Sequence, residues 1–238
     1  MVERRARLKP YVDGSIYLVD YPIHYAGCIF NARMSVVRLA DGSLWLHSPC
    51  EIDAALKVEI EALGPVRYLV GPGNYHWLHL QNAHTVFPGA KLYICPGIER
   101  KDALLSFDGL LGDHAPEAWA GEIEQVLVRG TRFIWEVAFF HKASKTLIIT
   151  DLLENIGEGT PGVNFIIKFW WKGVFRMWNK VRPAPEYQLG WKHKKAVRAS
   201  LERILAWDFE RVILAHGDLI NENARQVVRE AWHKQLTF

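Results

Sequence analysis

The chain has 238 residues, half of them hydrophobic, enough to bury a substantial core. Its 29 basic and 26 acidic residues leave a net charge of +3, a balance that does not suggest nucleic acid, and no aromatic–basic nucleic-acid motif occurs. No apolar run approaches the roughly 20 uninterrupted residues of a spanning helix. The charged opening MVERRARLKP leads into no apolar segment of the secretory type. The three widely spaced cysteines, Cys28, Cys50 and Cys95, read as reduced, buried thiols. A cytoplasmic protein is expected, with one domain over residues 1–238, since no linker, repeat or composition break divides the chain.

The first half reads as strands with one clear helix. Ser15–Tyr21, Met34–Leu39 and Ser43–His47 are short β-branched or aromatic runs, and Ala40-Asp41-Gly42 is a hairpin turn signal between the last two. Apolar residues at Ile52, Leu56, Ile60 and Leu63 predict a helix over Ile52–Leu63, stopped by Gly64-Pro65. Val66–Val70 and Lys91–Cys95 follow as strands. Further on, Glu124–Arg129, Ile134–Phe140 and Thr146–Thr150 predict three strands, the last two joined by a tight turn. Val197–Trp207 reads as a helix, Arg211–Leu214 as a strand and Asn221–Gln235 as a terminal helix. Strands followed by β-α units, twice over, predict two sheets packed face to face with helices outside.

Four polar residues stand where apolar runs end. His76 and His79 lie in PGNYHWLHL just after VRYLVGP, Asp151 closes KTLIITD, and His216 closes RVILAHGD. A strand that stops at a metal-competent side chain places it at the mouth of a sheet, where ligands from separate strands can converge. Neutral imidazoles and a carboxylate suit zinc, iron or manganese.

In its order (strand, His-containing loop, strand hairpin, Asp, helical insert, strand, His-Gly) the chain resembles the metallo-β-lactamase superfamily from about Ser15 onward. The family's HxHxDH motif falls on Asn74-Tyr75-His76-Trp77-Leu78-His79, matching at His76 and His79 and departing at Asn74 and Leu78. The resemblance implies a four-layer αββα sandwich of the α+β class, with Asp151 as the bridging carboxylate and His216 as the last ligand. A further histidine is expected between Thr131 and Glu136; Glu136 is the only ligand-capable residue there. The implied set is one divalent transition metal on His79, Asp151 and His216, and a thinner second position on His76, Asp151 and Glu136.

The implied activity is a metal-dependent hydrolase acting on an ester, lactone, amide or phosphoester bond through an activated water. Asp151 would then take the water's proton and Tyr75 would face the developing oxyanion. An iron oxidoreductase and a non-catalytic binding protein share the same fold and ligand set. Asn74 and His47 are candidates for supporting the ligands or touching substrate. Among the remaining polar residues, His141 is expected in solvent at the hairpin turn, His114 in a loop and Asp218 as a cap of the last helix.

The least usual stretch is NFIIKFWWKGVFRMWNKV, Asn164–Val181, within an insert at about residues 161–182. Lys168, Lys172, Arg176 and Lys180 recur every four residues. On a helix each step drifts about 40°, giving one slanting basic stripe about 120° wide. Two readings are open: a helix walling the cleft, which would select partly apolar small-molecule substrates with an anionic portion, or peripheral membrane contact. The oligomeric state is open.

Overall fold

The computed structural model describes residues 6–238, so residues 1–5 of the charged opening lie outside the described residues. The strands are β1 (Leu8–Val12), β2 (Ile16–Tyr25), β3 (Cys28–Arg38), β4 (Leu44–His47), β5 (Val66–Gly71), β6 (Lys91–Ile94), β7 (Gly109–Leu110), β8 (Ile123–Leu127), β9 (Val137–His141), β10 (Thr146–Ile148) and β11 (Arg211–Ile213). The α-helices are α1 (Ala54–Glu61), α2 (Leu80–Val86), α3 (Phe165–Phe169), α4 (Pro185–Gly190), α5 (Lys194–Leu205), α6 (Ala224–Ala231) and α7 (His233–Leu236). One sheet runs β1-β2-β3-β4-β5-β6-β7 and the other β11-β10-β9-β8. Two compact units result: residues up to Tyr21 with Ala32–Leu110, and Pro22–Asn31 with Leu111–Phe238.

In the first unit β3 and β4 form the predicted hairpin, with Ser35 opposite His47. From β4 to β7 the pairing is parallel, because each crossover passes through helix or loop outside the sheet. Helix α1 is shorter than its apolar period suggests. Asp53 is extended and its side chain accepts from Leu56 N at 2.8 Å, so the cap leaves Ile52 outside the helix. Helix α2 had no apolar period to announce it. It packs tightly on β5: a Cβ on Gly71 would lie 2.6 Å from Leu80 Cδ1.

In the second unit β8, β9 and β10 are antiparallel neighbours, and β11 adds parallel to β10 with Thr146 beside Arg211. Helix α5 buries Val197, Leu201, Ile204 and Leu205, and its Ser200 Oγ accepts from Arg129 N at 3.1 Å. The terminal helix predicted over Asn221–Gln235 is broken into α6 and α7, and Asn223 stands at the α6 cap with φ 50°. Asp218 lies ahead of that cap position; its N–H donates to Asn155 O and its carbonyl accepts from Asn155 Nδ2.

The long helix predicted over Asn164–Val181 is also not continuous. Asn164 caps α3 by accepting from Ile167 N, a single π-helical turn follows over Trp170–Val174, and the chain then leaves the helix. Arg176 and Asn179 adopt left-handed φ of 54° and 57°, which an α-helix cannot accommodate. The inward residues Ile167, Trp171, Met177 and Trp178 pack with Cys28 and Phe30 of the β2–β3 hairpin tip and with Ile156. All three cysteines are buried. Among the described residues no helix is long and apolar enough to cross a membrane.

One close approach fixes the loop after β10 to the loop after β11. Gly217 has φ +85°, and a Cβ there would fall 2.1 Å from Asn155 O, while Asp218 N donates to that same carbonyl at 2.8 Å. Gly217→Ala must therefore move backbone, at a cost of about 2 kcal/mol or more. For a chain of this size that is a Tm fall of roughly 4–8 °C by calorimetry. Gly159→Ala, with open space around it, is expected to leave Tm within about 2 °C.

Candidate metal centre

The second unit brings Asp151 and His216 together. Asp151 follows β10, held where Ile149 N still donates to Ile213 O; His216 follows β11. Both are buried, with His216 Nε2 3.3 Å from Asp151 Oδ1. His216 Nδ1 lies 3.0 Å from the Asn31 carbonyl, which can only accept, so Nδ1 carries the hydrogen and Nε2 is the nitrogen turned to Asp151. Phe30 packs edge-on to the ring at 5.0 Å. A tetrahedral ion with bonds of about 2.1 Å separates neighbouring ligand atoms by roughly 3.4 Å. The Asp151–His216 spacing fits that requirement.

Glu136, expected as a metal ligand, is placed differently. It is fully buried, and its carboxylate accepts from Thr150 N at 2.5 Å and from Asp151 N and Leu152 N at 2.9 Å each. Tyr187 Oη donates to it at 3.4 Å. Its oxygens are occupied in holding the backbone that carries Asp151. Burial first, then the Asp151 charge, push its pKa up to about 8 against the lowering effect of the Thr150 and Asp151 donors.

Two further carboxylates, not signalled by any motif, surround this pair. Glu154 is buried and accepts from Trp171 Nε1 at 2.9 Å, and Glu186 accepts from Tyr25 Oη at 3.2 Å. Burial raises Glu154 to about 8, with His216 opposing and Asp151 and Glu186 adding. Burial also raises Glu186. At His216 burial favours the neutral ring, but the hydrogen bond and charge of Asp151 and the charge of Glu154 outweigh it and raise the pKa. The pocket thus gathers acidic groups that burial drives toward their protonated forms, and it favours positive charge beside them, as a proton or as a cation.

The first unit holds the motif residues. His76 Nδ1 lies 2.8 Å from Ser48 Oγ. Ser48 holds this position with a left-handed φ of 52° and donates its N–H to Val70 O. Its only sequence signal was its place at a strand end before Pro49. His47 is buried and stacks on Trp45 at 5.5 Å; burial, then the neighbouring His76, lower its pKa to about 3, so it stays neutral. His79 sits at the start of α2, edge-on to Tyr21 at 5.7 Å, its pKa lowered by burial. Asn74 is buried, and Lys101 Nζ lies 4.4 Å over the Tyr75 ring. His141 is not solvated as expected. It is buried and its Nδ1 meets Ser144 Oγ at 2.7 Å, because the turn folds Ser144 back onto β9. His114 lies exposed in its loop.

Glu154 keeps its proton in the folded chain to about pH 8 and loses it near the ordinary glutamate value when unfolded. Its contribution therefore favours folding fully at low pH and declines as pH rises toward 8. Glu154→Gln removes that decline. In chelator-treated protein the variant's Tm minus the parent's should grow from pH 5 to pH 8 by scanning calorimetry; parallel profiles would contradict the assignment.

Comparison with known proteins bears on the whole chain. A metallo-β-lactamase from Pontibacter korlensis superposes with a TM-score of 0.65 at 12% identity, covering 96% of this chain and 99% of that one. The metallo-β-lactamase FIM-1 from Pseudomonas aeruginosa in its mono-zinc form gives 0.62 at 10%, covering 96% and 95%. A metallo-β-lactamase from Hirschia baltica gives 0.62 at 12%, covering 97% of each chain. The fold is accordingly α+β of the metallo-β-lactamase type, as the sequence resemblance implied. No curated protein matches the sequence. The profile of one family matches residues 13–169, and the chain belongs to that family, described as a domain of unknown function (DUF4336).

Proposed function

We propose that this chain is a metal-dependent hydrolase of an ester, lactone, amide or phosphoester bond, with Asp151 and His216 among the ligands of one divalent ion. The observation that carries the reading is the Asp151–His216 pair: ligand atoms 3.3 Å apart and the imidazole's far nitrogen anchored on Asn31. Outer partners that fix ring orientation in this way are the usual support of ligating histidines. Solved proteins of this fold are named metallo-β-lactamases, and one is described as a mono-zinc form.

A zinc or manganese ion there would supply Lewis acidity and a lowered pKa for bound water. The chain's own residues supply the rest. Asp151 would orient the water and accept its proton, Glu136 keeps the Asp151 backbone in place, and Glu154 and Glu186, whose carboxyls burial holds protonated above the usual range, would give up those protons more readily beside a cation. Tyr75 stands beside His76 as a candidate contact to substrate.

Elemental analysis of full-length protein, purified without chelator or metal-affinity resin, should find about one ion per chain. His216→Ala and Asp151→Asn should each lower occupancy by about tenfold or more, and His141→Ala should not. Hydrolysis of p-nitrophenyl esters, lactones and bis(p-nitrophenyl) phosphate, abolished by chelator, completes the reading. Equal occupancy in all three variants would overturn the ligand set. Bound iron with oxygen consumption would replace hydrolysis by oxidoreduction, and no metal at all would leave a binding protein.

A further inference from the structure

Helix α3 and the π turn behind it carry more apolar surface than the core beneath them takes up. Ile167 and Trp171 face inward, with Ile166 and Phe175 half-buried against the same cluster. On the outside Phe165 is 80% exposed, Phe169 64%, Val174 51% and Trp170 40%. The spacing 165, 169, 170, 174 keeps these four on one face, because the π turn adds a residue where an α-helix would have rotated the face away. Phe169 and Trp170 pack edge to face at 5.8 Å, and Trp170 lies 6.2 Å from Phe175, so the ridge is a joined aromatic surface.

The charge around this ridge is mostly positive, with Glu158 as the acidic residue lining the groove beside it. From residue 159 to residue 185 there is no aspartate or glutamate, while Lys168, Lys172, Arg176, Lys180 and Arg182 are basic. Lys168 is engaged by Glu158 and lies over Trp178. Lys172, Arg176 and Lys180 instead line a groove of about 520 Å³ beside the ridge, together with Glu158, Trp178 and Asn179. The left-handed Arg176 and Asn179 turn the chain around this groove.

We infer that this segment is an interfacial anchor for an anionic lipid surface: the Phe165–Phe169–Trp170–Val174 ridge enters the headgroup boundary, and Lys172, Arg176 and Lys180 receive lipid phosphates. An exposed apolar ridge alone would not choose its occupant; charge complementarity does. A second copy of this chain would bring the same positive charge against itself, whereas an anionic bilayer offers both a hydrocarbon boundary and phosphate. The indole of Trp170 suits the same depth, with an apolar body and one polar edge. Contact is peripheral, since no described helix is long and apolar enough to cross. This inference is independent of the metal reading.

The test is flotation of full-length protein with phosphatidylcholine vesicles, with and without phosphatidylglycerol, at low and high salt. Three cations near an anionic surface correspond to roughly a hundredfold in partitioning at low salt. Binding should accordingly be strong with phosphatidylglycerol, weak without it, and reduced by salt. Lys172→Gln/Arg176→Gln/Lys180→Gln should remove most of that gain and its salt dependence. Phe165→Ser/Phe169→Ser should lower binding to both vesicles by about tenfold or more. Both variants should keep the parent's Tm and metal content, because the altered side chains are outward. Failure of the parent to float with either vesicle overturns the inference. So does binding of inorganic phosphate without flotation, or a concentration-dependent dimer, seen by light scattering, that Phe165→Ser/Phe169→Ser abolishes.

Discussion

The second unit is organised around one buried carboxylate. Glu136 accepts three successive backbone N–H groups, from Thr150, Asp151 and Leu152, just where the chain leaves β10 and can no longer satisfy them in the sheet. Left unpaired in the interior, each would cost about 1–3 kcal/mol. With Glu136 in place the turn has one conformation, the Asp151 side chain has one direction, and Leu152 O is positioned to accept from Trp232 Nε1. The arrangement is costly in isolation, since it gathers Glu136, Asp151, Glu154 and Glu186 in a poorly solvated region with His216 as the main opposing charge. Such a pocket is better suited to a bound cation than to an empty interior.

Much of this was legible in the sequence because it rests on strand ends. Asp151 and His216 were visible as polar residues terminating apolar runs, and the β3–β4 and β9–β10 hairpins by their turn signals. Four supporting side chains were not visible. Glu154 and Glu186 lie in irregular or short helical segments without a period. Ser48 depends on a left-handed backbone that serine rarely adopts, and Tyr25 on where a hairpin tip folds. Glu136 stood out as a ligand-capable residue, and its carboxyl accepts the backbone N–H groups of Thr150, Asp151 and Leu152, a use that no motif signals. His141 misled. A histidine at a turn is ordinarily solvated, but here Ser144 folds back and shields it.

The aromatic segment shows where periodicity misleads. Basic residues every four positions suggest a long helix, yet Arg176 and Asn179 take conformations that end it. The actual pattern is a short helix, one widened turn and a tight reversal. That reversal returns Met177 and Trp178 to the cluster with Trp171 and Phe30. Composition located the unusual region correctly; only the coordinates divide its aromatic residues into those the core needs and those it leaves outside.

The tip of the β2–β3 hairpin, Pro22–Asn31, belongs to a unit whose other residues begin only at Leu111. It supplies Phe30 to the aromatic cluster and the Asn31 carbonyl to His216. A fragment starting at Leu111 would lack both, so this half cannot be transplanted or expressed as a contiguous piece. During synthesis the tip emerges early and must wait for distant partners, a long-range closure that slows folding. Modular shuffling of the two halves is closed to this protein.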